Sequence, residues 1–374
     1  MKKILLTITA ITTLLLTTSL GNVHAAGDTK IQVAILLDTS SSMDGLIEQA
    51  KSRLWNIVNT LTTLKYKGKT PDIQIALYEY GNNGIPTDDY IRQVTPLTND
   101  LDLISEKLFA LTTNGGYEYC GAVIKKAVDI LTWGKSDADM KLIYIAGNEP
   151  FTQGSIAYKD AIDAALKKNI YVNTIHCGDT RWGIEGMWKD AATYGKGKYF
   201  NIDHNAKVRF IETPFDDRIH SINIKLNDTY IGYGHIGQAR KTNQMVQDQN
   251  ARSVSSANFA ERAVSKTKEV YNNSSWDLVD RVNEDEKVLD KIKKEDLPKE
   301  LQGKSKDELK SYINGKKTER INLQKQISEL AKKRQAYIDE EMKKKGDDAG
   351  DDLGEAINQS VLDLAAVKGY EVSK

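Results

Sequence analysis

With only two cysteines and six prolines in 374 residues, the chain cannot be a disulfide-stapled miniprotein, a collagen-like fibre or a proline-rich spacer. Its five histidines include no H-E-x-x-H or other paired spacing, so the sequence carries no signature of a zinc enzyme. No G-x-S-x-G occurs, and His176 and Cys177 are chain neighbours whose side chains diverge on a strand, which leaves no nucleophile with a base beside it. Gly68-Lys69-Thr70 lacks the upstream glycine of a phosphate loop. Charge of one sign is also missing: 52 basic side chains balance 52 acidic ones, so no whole-chain field draws in nucleic acid or an anionic membrane. No apolar stretch reaches the roughly 20 residues of a transmembrane helix.

What is present is ordinary globular material, 40% apolar and 28% charged, at a length that suits about two domains. Lys2 and Lys3 precede an uncharged run from Ile4 to Leu16, followed by small residues with Val23 and Ala25 at the −3 and −1 positions of a signal-peptidase site. The expectation is a signal peptide over residues 1–25 and an exported protein, periplasmic or secreted. Export would let Cys120 and Cys177 pair if the fold brings them together; two buried thiols acting as small hydrophobes is the other reading, and spacing does not decide between them.

From Thr29 to about Asn205, β-rich runs alternate with amphipathic stretches, the pattern of an α/β, doubly wound and mostly parallel sheet. Apart from Gln32, Ile31–Leu37 is apolar throughout, as suits a strand buried on both faces. Asp72–Glu79, Lys141–Ala146, Ile170–His176 and Lys198–Ile202 supply four more strands, with helices expected at about 45–64, 100–111, 121–133, 155–168 and 184–194. After residue 206 polar residues dominate and apolar ones recur three and four apart, which predicts a mainly helical region over 206–374. Within it the stripe Ile321, Leu323, Ile327, Leu330, Tyr337 and Ile338 suits one arm of a helical hairpin over about 256–345, with Phe259–Ile292 as the other arm and Pro298 and Gly303 in the connector. The acidic, glycine-rich Gly346–Gly354 lacks the spacing of a calcium-binding EF-hand and reads as a linker before a last helix at about 353–367. Gly232-Tyr233-Gly234-His235-Ile236-Gly237 satisfies G-x-G-x-x-G outside any β-α-β context, so no dinucleotide site is expected there.

The first strand ends in Asp38-Thr39-Ser40-Ser41-Ser42. A turn leaving a parallel strand can aim Asp38, Ser40 and Ser42 at one point above the sheet, where hard oxygen ligands suit magnesium, manganese or calcium. Ligands of open α/β sheets bind in the crevice at the carboxyl ends of the strands, which is where these residues lie. The alternative is that Ser40 and Ser42 cap the next helix while Asp38 accepts backbone N–H groups, with no metal.

On this motif residues 29–205 resemble the von Willebrand factor A-like family, whose metal-ion-dependent adhesion site begins with D-x-S-x-S at the end of the first strand. The resemblance implies a six-stranded sheet with one antiparallel edge strand, here Tyr90–Thr95, and a metal whose open position takes a carboxylate from a protein partner. Asp38, Ser40 and Ser42 match the first ligand cluster. The family's threonine after a glycine pair is replaced, since Gly115-Gly116 precede Tyr117-Glu118, and its T-D-G-x-P turn reads Ala146-Gly147-Asn148-Glu149-Pro150. Glu118 and Asn148 are the candidate replacements as oxygen ligands, and Tyr117 and Glu149 the candidate partner contacts.

The segments Gly186–Asp190, Gly197–Ile202, Thr229–Gly234 and Asn273–Asp280 also resemble a bacterial exported subset of the family. Trp188 and Trp276 within them read as core anchors. The function expected is a non-enzymatic adhesion or scaffold protein that binds a protein partner through a variant metal site. A structural envelope protein that self-associates through its helical region, with no metal, is the alternative.

Overall fold

The computed structural model describes residues 29–345 and 353–373. The expected signal peptide and most of the linker at 346–354 lie outside them.

Elements follow in chain order as β1 (Lys30–Asp38), α1 (Asp44–Leu61), β2 (Leu64–Tyr66), β3 (Asp72–Tyr80), β4 (Ile91–Thr98), α2 (Leu101–Phe109) and α3 (Cys120–Ile130). Next come β5 (Met140–Gly147), α4 (Tyr158–Leu166), β6 (Ile170–Cys177), α5 (Thr180–Glu185), α6 (Trp188–Tyr194) and β7 (Lys196–Ile202). Six strands form one sheet in the order β4-β3-β1-β5-β6-β7, parallel except for β4. β4 is the antiparallel edge strand foreseen at residues 90–95; it runs to Thr98 and carries Pro96, which an edge position tolerates.

Strand alternation sorts the apolar residues onto two faces. Val33, Ile35 and Leu37 of β1 pack with Trp55, Val58 and Leu61 of α1, whereas Ala34 and Leu36 pack with Val123, Ile124 and Ala127 of α3. Helices cover both faces, so β1 is buried along nearly its whole length.

The remaining helices are α7 (Asp216–Asn227), α8 (Gly234–Val254), α9 (Ser256–Ser265), α10 (Leu278–Glu284), α11 (Lys306–Lys345) and α12 (Leu353–Val367), with a final strand β8 (Tyr370–Val372). The hairpin expected over 256–345 is not what forms. Phe259–Ile292 is broken into α9, α10 and a 3-10 turn, and α11 packs chiefly on α7. The stripe on α11 is narrower than its sequence suggested: Leu323, Ile327 and Leu330 are buried, but Ile321 is 53% exposed. Asn273 and Asp277 divert the chain between α9 and α10: Asp277 caps α10 by accepting from Asp280 N–H at 3.0 Å, so no single long arm can run through.

The helical segment 206–345 is an excursion from the sheet domain. α12 returns to lie on α1 and the sheet, with Leu353, Ala356, Ile357, Val361 and Ala365 in the same core as Val33 and Trp55. β8 then pairs antiparallel with β2, and Ser373 N–H donates to Thr63 O at 2.7 Å.

Buried ionic groups tie the excursion down. Arg262 of α9, fully buried, donates to Asp102 of α2 at 2.9 Å and to Asp248 of α8 at 2.5 Å, and Lys266 donates to Asp248 at 2.9 Å. Asn223 and Asn227 donate to the same Asp248 carboxylate at 2.8 and 2.7 Å. Each charge therefore has a partner, as burial requires. Trp188 and Trp276 are buried anchors, as expected.

The glycines at 232 and 237 serve packing. A Cβ on Gly232 would stand 2.5 Å from Gly237 O, and Gly232 bridges to Asp277, so the motif marks a close backbone crossing at the start of α8.

Candidate metal and partner-binding site

Asp38 is the last residue of β1, at the carboxyl edge of the sheet, flanked by Tyr80 at the end of β3 and Gly147 at the end of β5. Thr39 N–H donates to Tyr80 O at 2.9 Å and Asn114 N–H to Thr39 O at 3.0 Å, which fixes the chain as it leaves the strand. Ser40 N–H donates to Asp38 Oδ1 at 2.7 Å, folding the aspartate back over the turn, and Met43 N–H donates to Ser40 O at 3.0 Å to close it. The alternative role of the serines is not realised: Met43 occupies the N-cap of α1 with no side-chain cap bond, and Ser40 Oγ instead lies 3.4 Å from Ser42 Oγ. Asp38 does accept a backbone N–H, but with one oxygen only.

The fold brings Glu118 and Asn148 to the same place. Glu118 precedes α3, its N–H donates to Gln153 Oε1 at 3.1 Å, and its side chain is 4% exposed. Asn148 follows β5 and donates from Nδ2 to Ser42 Oγ at 3.2 Å. Asp38 Oδ2, Glu118 Oε2 and Asn148 Oδ1 are all buried without a hydrogen-bond partner. Neither carboxylate belongs to any of the salt bridges formed among the described residues. Burial pushes both upward from the ordinary carboxylate range, Glu118 the further because Asp38 faces it, while the Ser40 N–H partly restrains Asp38.

Space for this pair comes from glycine. A Cβ on Gly81, whose φ is +79°, would lie 2.8 Å from Asp38 Oδ1 and 2.8 Å from Glu118 Cγ. Tyr80 forms the wall beneath, its buried hydroxyl donating to Ala146 O at 3.0 Å. Sequence reasoning passed over Tyr80, Gly81 and Gln153; for Gly81 the signal was the turn Gly81-Asn82-Asn83 directly after a strand.

Glu149 and Tyr117 take outward positions. The Glu149 carboxylate is exposed and accepts from Gln153 at 3.3 Å, while its backbone oxygen accepts from Trp188 Nε1 at 2.8 Å. Tyr117 is 62% exposed and stacks on Tyr119, ring centres 6.1 Å apart. Trp182 of α5, the helix that follows β6, is 68% exposed, and the C-cap of that helix is tied to the loop after β5 by Phe151 N–H donating to Gly186 O at 2.8 Å.

Cys120 and Cys177 are both buried free thiols. They sit in different cores on opposite faces of the sheet, Cys120 beside the Tyr80 hydroxyl and Cys177 with Ile202, so the disulfide weighed from the sequence does not form and the small-hydrophobe reading holds. Burial raises both thiols well above their ordinary range. His176 is satisfied at its strand end, its Nδ1 2.9 Å from Asn201 Oδ1.

Among the described residues no three His, Cys, Asp or Glu side chains cluster with metal-holding geometry. A cation at Asp38 would thus rest on two carboxylates supplemented by hydroxyl and amide oxygens. That donor set is all hard oxygen, and three of its atoms lack any other partner, so the residues present fit magnesium, manganese or calcium.

Residues 32–195 match the model of the von Willebrand factor type A domain. The match runs from β1 to α6, five of the six strands of the sheet, and domains of this kind commonly bind proteins. Solved structures with a similar fold include BatB from Bacteroides thetaiotaomicron, 18% identical over 46% of this chain and 90% of that one, with a TM-score of 0.36. An aerotolerance-related membrane protein from Bacteroides fragilis is 16% identical over 47% and 93%, TM-score 0.34. A von Willebrand factor type A protein from Catenulispora acidiphila is 16% identical over 46% and 39%, TM-score 0.35. No curated protein matches the chain. No helix among the described residues is long and apolar enough to cross a membrane.

Proposed function

We propose that this chain is an exported, non-enzymatic adhesion or scaffold protein that engages a protein partner at the carboxyl edge of its A-type domain through a divalent cation. The reading rests on one observation above others: Asp38 Oδ2, Glu118 Oε2 and Asn148 Oδ1, at the carboxyl edge of the sheet, are all buried and unpartnered. An unrelieved buried carboxylate is costly, and two together more so, unless a proton or a cation lies between them. Asp38, Glu118 and Asn148, with Ser40 and Ser42, would hold the ion. When bound, it supplies a Lewis-acidic coordination point for an oxygen of the partner. The Ser40 N–H orients the Asp38 carboxylate and Gln153 fixes the Glu118 backbone, and Tyr117 and Trp182 offer exposed aromatic surface for the rest of the contact.

Export rests on the leader-like residues 1–25. The non-enzymatic reading is supported by the buried, raised thiols and the hydrogen-bonded His176.

The test pairs calorimetric titration of Mg2+ and Mn2+ with capture of envelope proteins in the presence of metal and of chelator. Asp38→Ala is expected to abolish metal uptake and metal-dependent capture together. Capture that survives both the substitution and chelation rejects the mechanism.

A further inference from the structure

We propose that Glu118 makes this crevice a charge-balanced cation site, whose outward position takes a neutral oxygen ligand, a hydroxyl or an amide, in preference to a carboxylate. The inference rests on the cation reading above and concerns what that cation then binds.

Glu118 is built into the site. It is anchored by the Gln153 contact, it is 4% exposed, and its side chain presses into the gap that Gly81 leaves, the same gap occupied by Asp38 Oδ1. Both carboxylates are more than nine-tenths buried, each with an oxygen lacking a donor. No lysine or arginine pairs with either among the described residues.

Two such carboxylates cancel the charge of a divalent ion. A third carboxylate, the ligand that the family resemblance implies, would leave the cluster net negative in a poorly solvated place, where like charges repel far more strongly than in water. Glu149 at the mouth adds to this, since its negative charge is felt by both Asp38 and Glu118. A hydroxyl or amide oxygen coordinates the ion without that penalty. The charge count of a ligand set also tunes how tightly the ion itself is held, so Glu118 should strengthen metal binding while it weakens the site's attraction for an anion.

The experiment uses the full chain and Mn2+ as probe, with calorimetric titrations run in buffer alone, in excess acetate and in excess acetamide at matched free Mn2+. Wild-type affinity is expected to change by less than about twofold with acetate. Glu118→Gln and Glu118→Thr should each weaken Mn2+ by about tenfold or more, and acetate should then restore part of the loss, because an anionic ligand is again wanted. Acetate that tightens Mn2+ binding to the wild type overturns this inference alone. Gln and Thr variants that bind as tightly as wild type overturn Glu118 as a ligand. Failure of the wild type to take up Mn2+ at all overturns the cation reading itself. Unfolding in chelator supplies the structural control: Glu118→Gln, having lost one of two facing carboxylates, should melt at or above the wild-type temperature, and a lower one counts against the facing pair.

Discussion

The hydroxyl of Tyr144, midway along β5, is hydrogen-bonded to the hydroxyl of Ser360 on α12, across 216 residues of sequence. Ser360 also donates to Ile357 O at 3.1 Å, so it retains a partner without the tyrosine. Tyr144→Phe should therefore cost only about 0.5–1.5 kcal/mol. Ile357→Ala, which empties a fully buried position between α12 and the sheet, should cost about 2–5 kcal/mol. Urea unfolding checks both, and equal small losses would show that α12 is loosely held.

The Asp248 cluster should dominate the pH dependence of stability at both ends of the range. Lys266 and Arg262 hold Asp248 well below the usual carboxylate range. Its contribution is thus full above an unfolded value near 4 and is lost as pH falls toward the folded one. Lys266 titrates at about 8 because burial disfavours its charge. The unfolded chain binds the extra proton between about pH 8 and 10.4, so this group makes stability rise with pH in that window. Lys266→Met should flatten that rise. Asp248→Asn, which leaves buried Lys266 without a carboxylate and Arg262 with Asp102 alone, should cost about 3–5 kcal/mol at neutral pH. Denaturation midpoints measured across pH test both.

Tyr117 and Trp182 contribute little to folding and should contribute to binding. Serine at either site is expected to change stability by less than about 0.5 kcal/mol, and to weaken capture of the partner by about tenfold if it is an interface anchor. Unchanged capture for both would remove the aromatic flanks from the binding surface.

Gly81 and Gly68 separate crowding from backbone strain. Both have positive φ, +79° and +77°, but an added Cβ at Gly68 meets nothing within 4 Å, whereas at Gly81 it meets Asp38 and Glu118. Alanine should cost about 1–3 kcal/mol through φ alone at either position. Only Gly81→Ala should also displace Asp38 and reduce Mn2+ affinity in a calorimetric titration. Loss of affinity in Gly68→Ala as well would place the effect in the fold at large.

The sheet was legible because its strands are written in the sequence: Ile31–Leu37 can only be a strand covered on both faces, and β4 was placed to within a few residues. Asp38, Ser40 and Ser42 were legible from their spacing at a strand end. The return of α12 was not, because an amphipathic helix does not say which surface it covers when the surface lies some 300 residues away. The α11 hairpin failed for a related reason. Residues Phe259–Ile292 carry apolar residues at helical spacing, yet Asp277 caps a new helix in their midst and hydrogen bonding to side chains outweighed periodicity. Glu118 was visible only as a departure from a family pattern; its burial against Asp38 depends on Gly81, a residue distant from both in sequence.

Because α12 and β8 complete the core that covers α1 and one side of the sheet, synthesis must pass Val372 before that side can close. Until then Gln49 of α1 and Tyr144 of β5 lack their α12 partners Leu353 and Ser360, while α7 to α11 are already free to assemble. A chain cut short before α12 would accordingly expose apolar surface on that side and be prone to aggregate.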